Sequence, residues 1–413
     1  MIIVPVRLRL VFTTWLLLGA TLADAEILYV RPQGTGASQV GRLRSVNANG
    51  TNDRAIPLPF PSLLLPTWSH DGARFALTGV DPQRPGQVTL NAFVVNPVTG
   101  AYQNVTKFRD KVTEEEYNYV YALYKAFSPD RKLMAVNSVY RSGTDEAHET
   151  GTPALQIFAT NGGDDSLALV HVGSIRDNVH HDGEGVDWSP NANIIVAPVK
   201  WDAPLESGGA GKGEATALVL AQPVTDGGNA RQLTFPRADH IDNGPFGEHI
   251  LWAEQDYAPK FSPGGKLVAY VRSYQAVSSQ RGTPDANIES LRIVNIKTGR
   301  DVKVKQFKPG RYITAIDWSP DGTKLVFDLG QQATTPEGAF LQGVQPETDR
   351  LFIINTDGTG LRQLRGAPSG TPAWRPVNVA AFSNFVEAAA GPITCETITR
   401  LATVPATNVS SER

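Results

Sequence analysis

Short apolar runs alternate with polar turns along most of the chain, and the turns follow one pattern. An aromatic residue is followed by Ser, then Pro, then Asp, Asn or Gly, and after two or three variable residues by an apolar run. The aromatic residues that begin the copies are Trp68, Phe127, Trp188, Phe261, Trp318 and Trp374; the first copy has His70 in place of Pro, and the last copy is degraded. They are 56 to 73 residues apart. A recurrence at this spacing indicates a repeat architecture.

The chemistry of the pattern is that of a β-hairpin. In the clearest copy, Ser319 begins the turn, Pro320 fixes its φ angle, Asp321 bonds locally and Gly322 forms the exit. The aromatic residue therefore ends one strand, and the apolar run forms the next. We expect the aromatic rings to pack between neighbouring sheets.

A second pattern alternates with the first. Strand-like segments that end in polar turns occur at 43–50, 92–100, 155–162, 218–223, 291–299 and 351–358, and a short strand follows each. Each unit thus contains four antiparallel strands, and there are six units. The sequence predicts an all-β fold, a six-bladed β-propeller of four-stranded antiparallel blades.

The two ends of this region complete each other. The motif at Trp374 supplies a first strand without good continuation, and the segments from Glu26 to residue 58 supply three strands without a first one. Joining them closes the ring and removes exposed sheet edges, so the N- and C-terminal strands share one blade. We expect the propeller to span 26–376, and 377–413 to form a C-terminal tail.

The repeated Trp-Ser-Pro-Asp-Gly turn, exemplified by Trp318 to Gly322, resembles the repeats of TolB-like propellers, also called WD40-like or PD40 repeats. The resemblance covers almost the whole chain after residue 25 and implies a six-bladed propeller. It departs from TolB proper, whose α/β domain precedes the propeller, whereas here the first predicted strand starts at Glu26. Related propellers of prolyl oligopeptidase type require a hydrolase domain after the propeller. Only 37 residues follow the predicted propeller here, which are too few for that domain, so we do not expect this peptidase activity.

The N-terminal 25 residues have the features of a secretory signal peptide. Arg7 and Arg9 precede an apolar run at 11–22, and Ala23-Asp24-Ala25 is a small-x-small cleavage site. The apolar run is short for a bilayer span, and no other segment approaches that length. We therefore predict that 1–25 is a signal peptide and that the mature protein is periplasmic or secreted. We expect no membrane span after cleavage.

Composition excludes several classes of function. The net charge is −3, without the basic surplus that nucleic-acid binding needs. The single cysteine, Cys395, permits neither an intrachain disulfide nor a cysteine-based zinc site.

The predicted loops are unequal at the two ends of the blades. The turns between first and second strands and between third and fourth strands are short. The connections between second and third strands (140–152, 200–215, 273–289 and 329–348) and between blades (106–125, 171–186 and 235–257) are long. We call the end that carries these connections the long-loop face, and we expect ligands to bind there.

Imidazoles and carboxylates are concentrated in the predicted long loops, whereas His70 lies in a short turn. The candidate ligand-binding residues are His148, His180, His181, Asp182, Asp239, His240, Asp242 and His249. Such groups suit a divalent metal such as calcium or manganese, and His180, His181, His240 and His249 are the candidate ligands. Their spacing matches no known metal motif, so the interpretation that these loops are polar because they are solvated is the favoured one.

The main hypothesis is an exported, non-catalytic propeller that binds a protein, a peptide or an envelope glycan through the long-loop face. The alternative is a metal-assisted enzyme that degrades polysaccharide, similar to oligogalacturonate lyases, which place a histidine-bound metal on the ring axis. A third hypothesis is a calcium-stabilised structural propeller. The sequence identifies neither the ligand nor a cofactor.

Overall fold

A computed structural model gives the fold, and the residues below are those it describes. They are 26–33, 40–85, 89–108, 111–112, 117–143, 150–162, 168–169, 185–204, 212–222, 230–241, 250–278, 287–334, 340–344 and 348–376. The chain divides into two compact units, Met1–Pro376 and Val377–Arg413, and every described residue belongs to the first. Within the described residues the regular structure is β, and none of it is a helix able to cross a membrane.

The described residues form 28 strands. Those of the N-terminal half are β1 (Glu26–Gln33), β2 (Val40–Asn47), β3 (Arg54–Ala55), β4 (Leu63–Trp68), β5 (Phe75–Gly79), β6 (Asn91–Val95), β7 (Tyr102–Asn104), β8 (Lys111–Val112), β9 (Tyr117–Phe127), β10 (Leu133–Gly143), β11 (Thr150–Ala159) and β12 (Ala168–Leu169). Those of the C-terminal half are β13 (Asp187–Trp188), β14 (Ile195–Pro204), β15 (Lys212–Ala221), β16 (Arg231–Gln232), β17 (Ala238–Ile241), β18 (Ile250–Phe261), β19 (Leu267–Ser278), β20 (Ile288–Asn295), β21 (Asp301–Gln306), β22 (Arg311–Tyr312), β23 (Ile316–Trp318), β24 (Lys324–Thr334), β25 (Phe340–Val344), β26 (Arg350–Asn355), β27 (Arg362–Gln363) and β28 (Gly370–Trp374).

The strands assemble into five sheets in a propeller-like arrangement. Four sheets have the size of a blade: β28-β1-β2-β3, β4-β5-β6-β7, β12-β11-β10-β9-β8, and a six-stranded sheet built on β22-β24-β26-β27 with β23 and β25 also paired to β24. The fifth has nine strands, with the path β13-β14-β15-β18-β19-β20-β21, β16 paired to β15 and β17 paired to β18. All strand pairs are antiparallel except β15 with β18 and an isolated bridge between Leu90 and Tyr121.

The predicted number of six separate four-stranded blades is wrong for the described residues, which form four blade-sized sheets and one larger sheet. The larger sheet arises because Thr216 of β15 pairs in parallel with Gln255 of β18. Strands β14 and β15 have 10 residues each and β18 and β19 have 12 each, so they extend beyond the length that the apolar runs predict. This extra length brings two antiparallel strand groups into contact.

The same extension shortens the predicted long loops. Strand β10 continues to Gly143, β11 already begins at Thr150, and β19 continues to Ser278. Backbone pairing runs through these extensions, for example between Ser142 and Thr150. Much of the sequence assigned to loops on the long-loop face is therefore strand.

The N- and C-terminal strands of the described unit share one sheet, which confirms that prediction. Ile27 pairs with Trp374 and Leu28 with Ala373, and beyond the last strand the Arg375 N–H donates to the Glu26 carbonyl at 2.8 Å. This pairing leaves β1 with a neighbour on each side, as ring closure requires.

The core lies between neighbouring sheets and confirms the predicted role of the aromatic motif. Side chains of Leu28 and Leu43 pack with Trp68 and Phe75 of the next sheet in one buried cluster. All six motif aromatics are buried, from fully for Trp188 to 7% exposed for Trp68. Burial of such rings stabilises the contacts between sheets most strongly because they have the largest apolar area.

The hairpin turns form as their sequence predicts. In the fifth copy the Ser319 hydroxyl donates to Asp321 Oδ1 at 2.6 Å, and the Gly322 N–H donates to the Ser319 carbonyl at 2.8 Å. Gly322 has a φ of +69°, which side-chain-bearing residues adopt at a cost.

Candidate functional site

Two of the eight predicted histidine and carboxylate ligands lie among the residues that the structure describes. Asp239 and His240 lie in β17, where their backbones pair with Trp252 and Leu251 of β18, so the expectation that they lie in a loop is wrong. His148, His180, His181, Asp182, Asp242 and His249 lie outside the described residues. Within the described part of the chain, no group of three or more His, Cys, Asp or Glu side chains could hold a metal ion. A metal site on this face stays a prediction.

The residues that precede each motif aromatic line a narrow cavity. It has a volume of about 40 Å³ and is lined by 65–67, 124–125, 185–186, 258–260, 314–316 and 371–372. All six copies of the motif contribute to it, so it marks the point around which the sheets are arranged. A volume this small accommodates about one water molecule and no organic ligand.

Charged side chains lie beside this central cavity. Lys260 Nζ is 3.5 Å from Asp187 Oδ1 and 3.4 Å from Thr67 Oγ1 of a distant sheet. Asp317 is half-buried, and desolvation raises its pKa to about 6, although the charge of Lys260 and two backbone N–H groups oppose the rise. Paired carboxylates and an amine could in principle transfer protons, so their other contacts decide their role.

The two carboxylates connect successive copies of the motif. Asp187 Oδ2 accepts the Phe261 N–H at 2.7 Å, and Asp317 Oδ2 accepts the Trp374 N–H at the same distance. The Trp318 indole N–H donates to the Lys260 carbonyl at 2.9 Å. These bonds hold the backbone of each motif to that of the next, so the central carboxylates act as structural connectors.

Lys125 is similarly engaged. Its ammonium group is buried and donates to the Leu65 carbonyl at 2.7 Å, to Thr78 Oγ1 at 2.8 Å and to the Leu123 carbonyl at 3.2 Å. Burial, followed by the charge of Lys260, lowers its pKa well below the ordinary value. Three acceptors use the three donors of an ammonium group, so this amine links two sheets and would have to break those bonds to react.

A larger cavity, of about 660 Å³, lies at the outer edge of the N-terminal sheet. Its lining includes Arg31 and Arg42 together with the partly accessible aliphatic residues Ile56 and Leu58. It lies near the ends of β1 and β2 that their connection joins, where Gln33 pairs with Val40. This connection is one between second and third strands, so the cavity is on the long-loop face. Its volume is typical of ligand sites.

We call this volume the arginine cavity. Its three arginines differ in their bonding partners. Arg44 Nε bonds Asp53 Oδ1 at 2.9 Å and the Tyr29 hydroxyl at 3.1 Å. Asp53 also accepts from Tyr29 at 2.7 Å and from Arg365. Burial favours a higher pKa for Asp53, but the bonds from Arg44 and Tyr29 and the nearby positive charges outweigh it and lower the pKa. Arg44 is therefore neutralised within the sheet.

Arg31 and Arg42 face each other directly in the register of β1 and β2. Both side chains are exposed, and Arg42 Nη1 donates to the Phe60 carbonyl at 3.1 Å. No ion pair joins either one to a carboxylate of the described residues. Sequence reasoning missed this pair, because 41–45 shows two arginines on one strand face but does not reveal what lies opposite.

No protein-family model matches the sequence, and no curated protein sequence matches it. Among solved structures, TolB from Acinetobacter baumannii is similar with a TM-score of 0.53 and 16% identity, over 86% of this chain and 67% of that one. Hydrazine synthase from Kuenenia stuttgartiensis is similar with a TM-score of 0.52 and 13% identity, over 86% of this chain and 47% of that one.

Oligogalacturonate lyase from Vibrio parahaemolyticus also matches, with 11% identity over 83% of this chain and 86% of that one. Its TM-score of 0.33 is too low for a comparison of sites. At these identities the similarity concerns the fold and not the chemistry. The chain has the fold of a TolB-like propeller.

Proposed function

We propose that this protein is an exported, non-catalytic binding protein whose long-loop face engages a protein or peptide partner. The observation that carries the proposal is the arginine cavity, an open volume of about 660 Å³ on that face with two exposed arginines and an aliphatic lining. Concave sites with an apolar lining and a few placed polar groups are typical of ligand binding.

The contacts around the central cavity support a binding role over a catalytic one. Asp187 and Lys125 are buried there and Asp317 is half-buried, and each bonds a backbone group of another motif or sheet. These bonds hold neighbouring sheets together, whereas the arginine cavity lies on the long-loop face. An envelope glycan is a further ligand class for the same face, and the test below separates it from a peptide.

The predicted signal peptide at 1–25 supports a periplasmic or secreted location. Expression in a bacterial host with the native N-terminus tests it directly. We expect the periplasmic or extracellular protein to begin at Glu26 by N-terminal sequencing. A product that stays in the cytoplasm with residues 1–25 attached would contradict export.

A binding and turnover panel tests the function. The exported protein is titrated with labelled acidic, neutral and basic peptides and with a galacturonic acid tetramer, and its metal content is measured. We expect saturable binding of one class, with no chemical change in the ligand. Degradation of the tetramer that EDTA abolishes would overturn the proposal and favour the lyase hypothesis with His180, His181, His240 and His249. EDTA-sensitive stability without ligand binding would favour the calcium-stabilised structural hypothesis.

A further inference from the structure

We infer that the arginine cavity binds the carboxylates of an acidic peptide segment, with Arg31 and Arg42 as the two anion-binding residues. This inference rests on the proposed binding function and names the ligand class of the same site. Four observations carry it: the register of the two arginines, an internal comparison with another sheet, the saturation of the nearby carboxylate, and the character of the lining.

The register places two like charges side by side. Arg31 and Arg42 are a directly opposed pair of β1 and β2, so their Cβ atoms are about 4.5 to 5.5 Å apart. Like charges at this separation destabilise a sheet unless an anion lies between them. Two guanidinium groups can together grip one carboxylate or two neighbouring ones by paired N–H···O bonds.

A second sheet shows the same segment with its charge compensated. Tyr270-Val271-Arg272 on β19 corresponds to Tyr29-Val30-Arg31 on β1, because Tyr270 faces Arg292 and bonds it at 3.1 Å just as Tyr29 faces and bonds Arg44. Both sheets then add an aspartate where the fourth strand begins: Asp301 is the first residue of β21, and Asp53 directly precedes β3.

The two sheets differ at the next position along the strand. Arg272 forms two bonds with Asp256 of β18, at 2.6 and 2.7 Å, lies 3.3 Å from Glu254, and faces Ser290. Arg31 occupies the corresponding place in the N-terminal sheet but faces Arg42. Its neighbouring strand β28 has the sequence Gly-Thr-Pro-Ala-Trp, which contains no carboxylate. The carboxylates that neutralise Arg272 thus have no counterpart at Arg31, and a ligand carboxylate supplies the equivalent partner.

The carboxylate that bonds Arg44 in this sheet is committed to other partners. Asp53 is held by Arg44, Arg365 and the Tyr29 hydroxyl. It cannot also neutralise Arg31 and Arg42 without losing these bonds. The overall charge of the chain is −3, so this positive site is a local feature rather than a consequence of general composition.

The lining favours a peptide over a sugar chain. The accessible apolar residues of the lining are aliphatic or proline, namely Pro32, Ala55, Ile56, Pro57 and Leu58, whereas Leu43 and Leu63 are buried in the core behind it. None of the lining residues has an aromatic ring on which a pyranose could stack. Aliphatic contacts beside two guanidinium groups suit a segment in which acidic residues alternate with leucine or valine.

The test uses labelled six-residue peptides and fluorescence anisotropy with the exported protein. The probe alternates glutamate with leucine, and matched peptides carry glutamine or lysine in place of glutamate. We expect the Glu–Leu peptide to bind at least tenfold more tightly than the Gln–Leu peptide, and its affinity to fall as KCl rises from 50 to 300 mM. Arg31→Gln and Arg42→Gln should each weaken binding about tenfold.

Arg74→Gln is the matched control, because Arg74 is also exposed but lies in a short turn of the next sheet, away from the cavity. It should leave peptide affinity unchanged. Since Arg31→Gln removes a like-charge contact, its melting temperature should equal or exceed that of the wild type. The double variant Arg31→Glu/Arg42→Glu should lose the Glu–Leu peptide and bind the Lys–Leu peptide, which separates a charge effect from a folding defect.

The outcomes separate the two levels of the proposal. If the Glu–Leu peptide binds wild type and both glutamine variants equally, the arginine site is wrong while the binding function stands. If the galacturonic acid tetramer binds through Arg31 and Arg42 and the peptide does not, the ligand class is wrong. If neither probe binds to the wild type, the peptide inference fails, and a failed binding panel with all its ligands would remove the proposed function as well.

Discussion

Truncation of Asp187 tests whether the central carboxylates connect the sheets. Asp187 is 7% exposed, its Oδ2 accepts the Phe261 N–H at 2.7 Å, and its Oδ1 lies 3.5 Å from Lys260 Nζ. The variant Asp187→Ala removes both interactions at once. The variant Asp187→Asn keeps an oxygen that can accept the same N–H and removes the charge.

The expected magnitude follows from the loss of a buried acceptor. A buried N–H without a partner costs about 1–3 kcal/mol, and removal of one member of an ion pair adds to this. Lys260 retains the charge of Asp317 nearby, which limits the second contribution. We therefore expect Asp187→Ala to lower the free energy of unfolding by about 2–4 kcal/mol, and Asp187→Asn by about 1 kcal/mol.

Equilibrium urea unfolding is the suitable assay. For a cooperative unit of about 350 residues, 1 kcal/mol shifts the melting temperature by only about 1.4 °C, so thermal scans resolve the difference poorly. Asp130→Ala is the control, because Asp130 is exposed and bonds only within its own turn, to Ser128 at 2.6 Å and Lys132 N at 3.1 Å. It should cost less than about 1 kcal/mol.

The comparison of the two Asp187 variants decides the matter. Equal losses for Asp187→Ala and Asp187→Asn would show that charge, and not the hydrogen bond to the Phe261 backbone, provides the stability. A loss below about 1 kcal/mol for Asp187→Ala would refute the connector role altogether.

Three further predictions concern stability. Because burial raises the pKa of Asp317 to about 6, the native state binds its proton more tightly than the unfolded state. The stability that the protonated carboxyl contributes is complete below the unfolded pKa and is lost as pH rises through about 6. In urea titrations, the free energy of unfolding of the wild type should therefore fall between pH 4 and 7 by up to about 3 kcal/mol relative to Asp317→Asn. Parallel pH curves for the two proteins would contradict this prediction. Gly72→Ala places a Cβ 2.6 Å from the Pro376 carbonyl and should cost more than about 2 kcal/mol, whereas Gly100→Ala, in open space at a similar positive φ, should cost about 1 kcal/mol; equal costs would show that the contact is relieved. Arg375→Ala removes a guanidinium 5.0 Å above an indole and a bond to the Gly72 carbonyl and should lower the urea midpoint by the equivalent of about 1–2 kcal/mol, and an unchanged midpoint would argue against its role in closure.

The sequence was sufficient to predict the turns and the closure, because both depend on local chemistry. Ser319 and Gly322 fix a turn through their own side chain and backbone. The apolar strand that contains Ile27 and Leu28 lacked a preceding strand in its repeat, and the strand that ends at Trp374 lacked a following one, so pairing between the two was predictable. The lengths of strands such as β18 were not predictable, since their extensions carry polar residues that pair through the backbone rather than through an apolar pattern.

The candidate site was less predictable for a related reason. Histidines draw attention by residue type, yet His240 lies with Asp239 in a strand, and the other six residues of the proposed cluster lie outside the described residues. Arg31 and Arg42 are separated by ten residues, and only the register of β1 and β2 shows that they face each other. A one-residue shift would have placed their side chains on opposite faces.

The manner of ring closure explains why the binding arginines occur in this sheet. In the sheet that contains Arg272, the first strand is the neighbouring segment of the same repeat, and it supplies Asp256. In the N-terminal sheet the first strand is β28, which comes from the other end of the described unit and ends at Trp374. This strand pairs with β1 only as far as Val30 and brings no carboxylate to the end that carries Arg31. Closure by a shared sheet stabilises the ring and, in this chain, leaves two cations on its surface for an external anion.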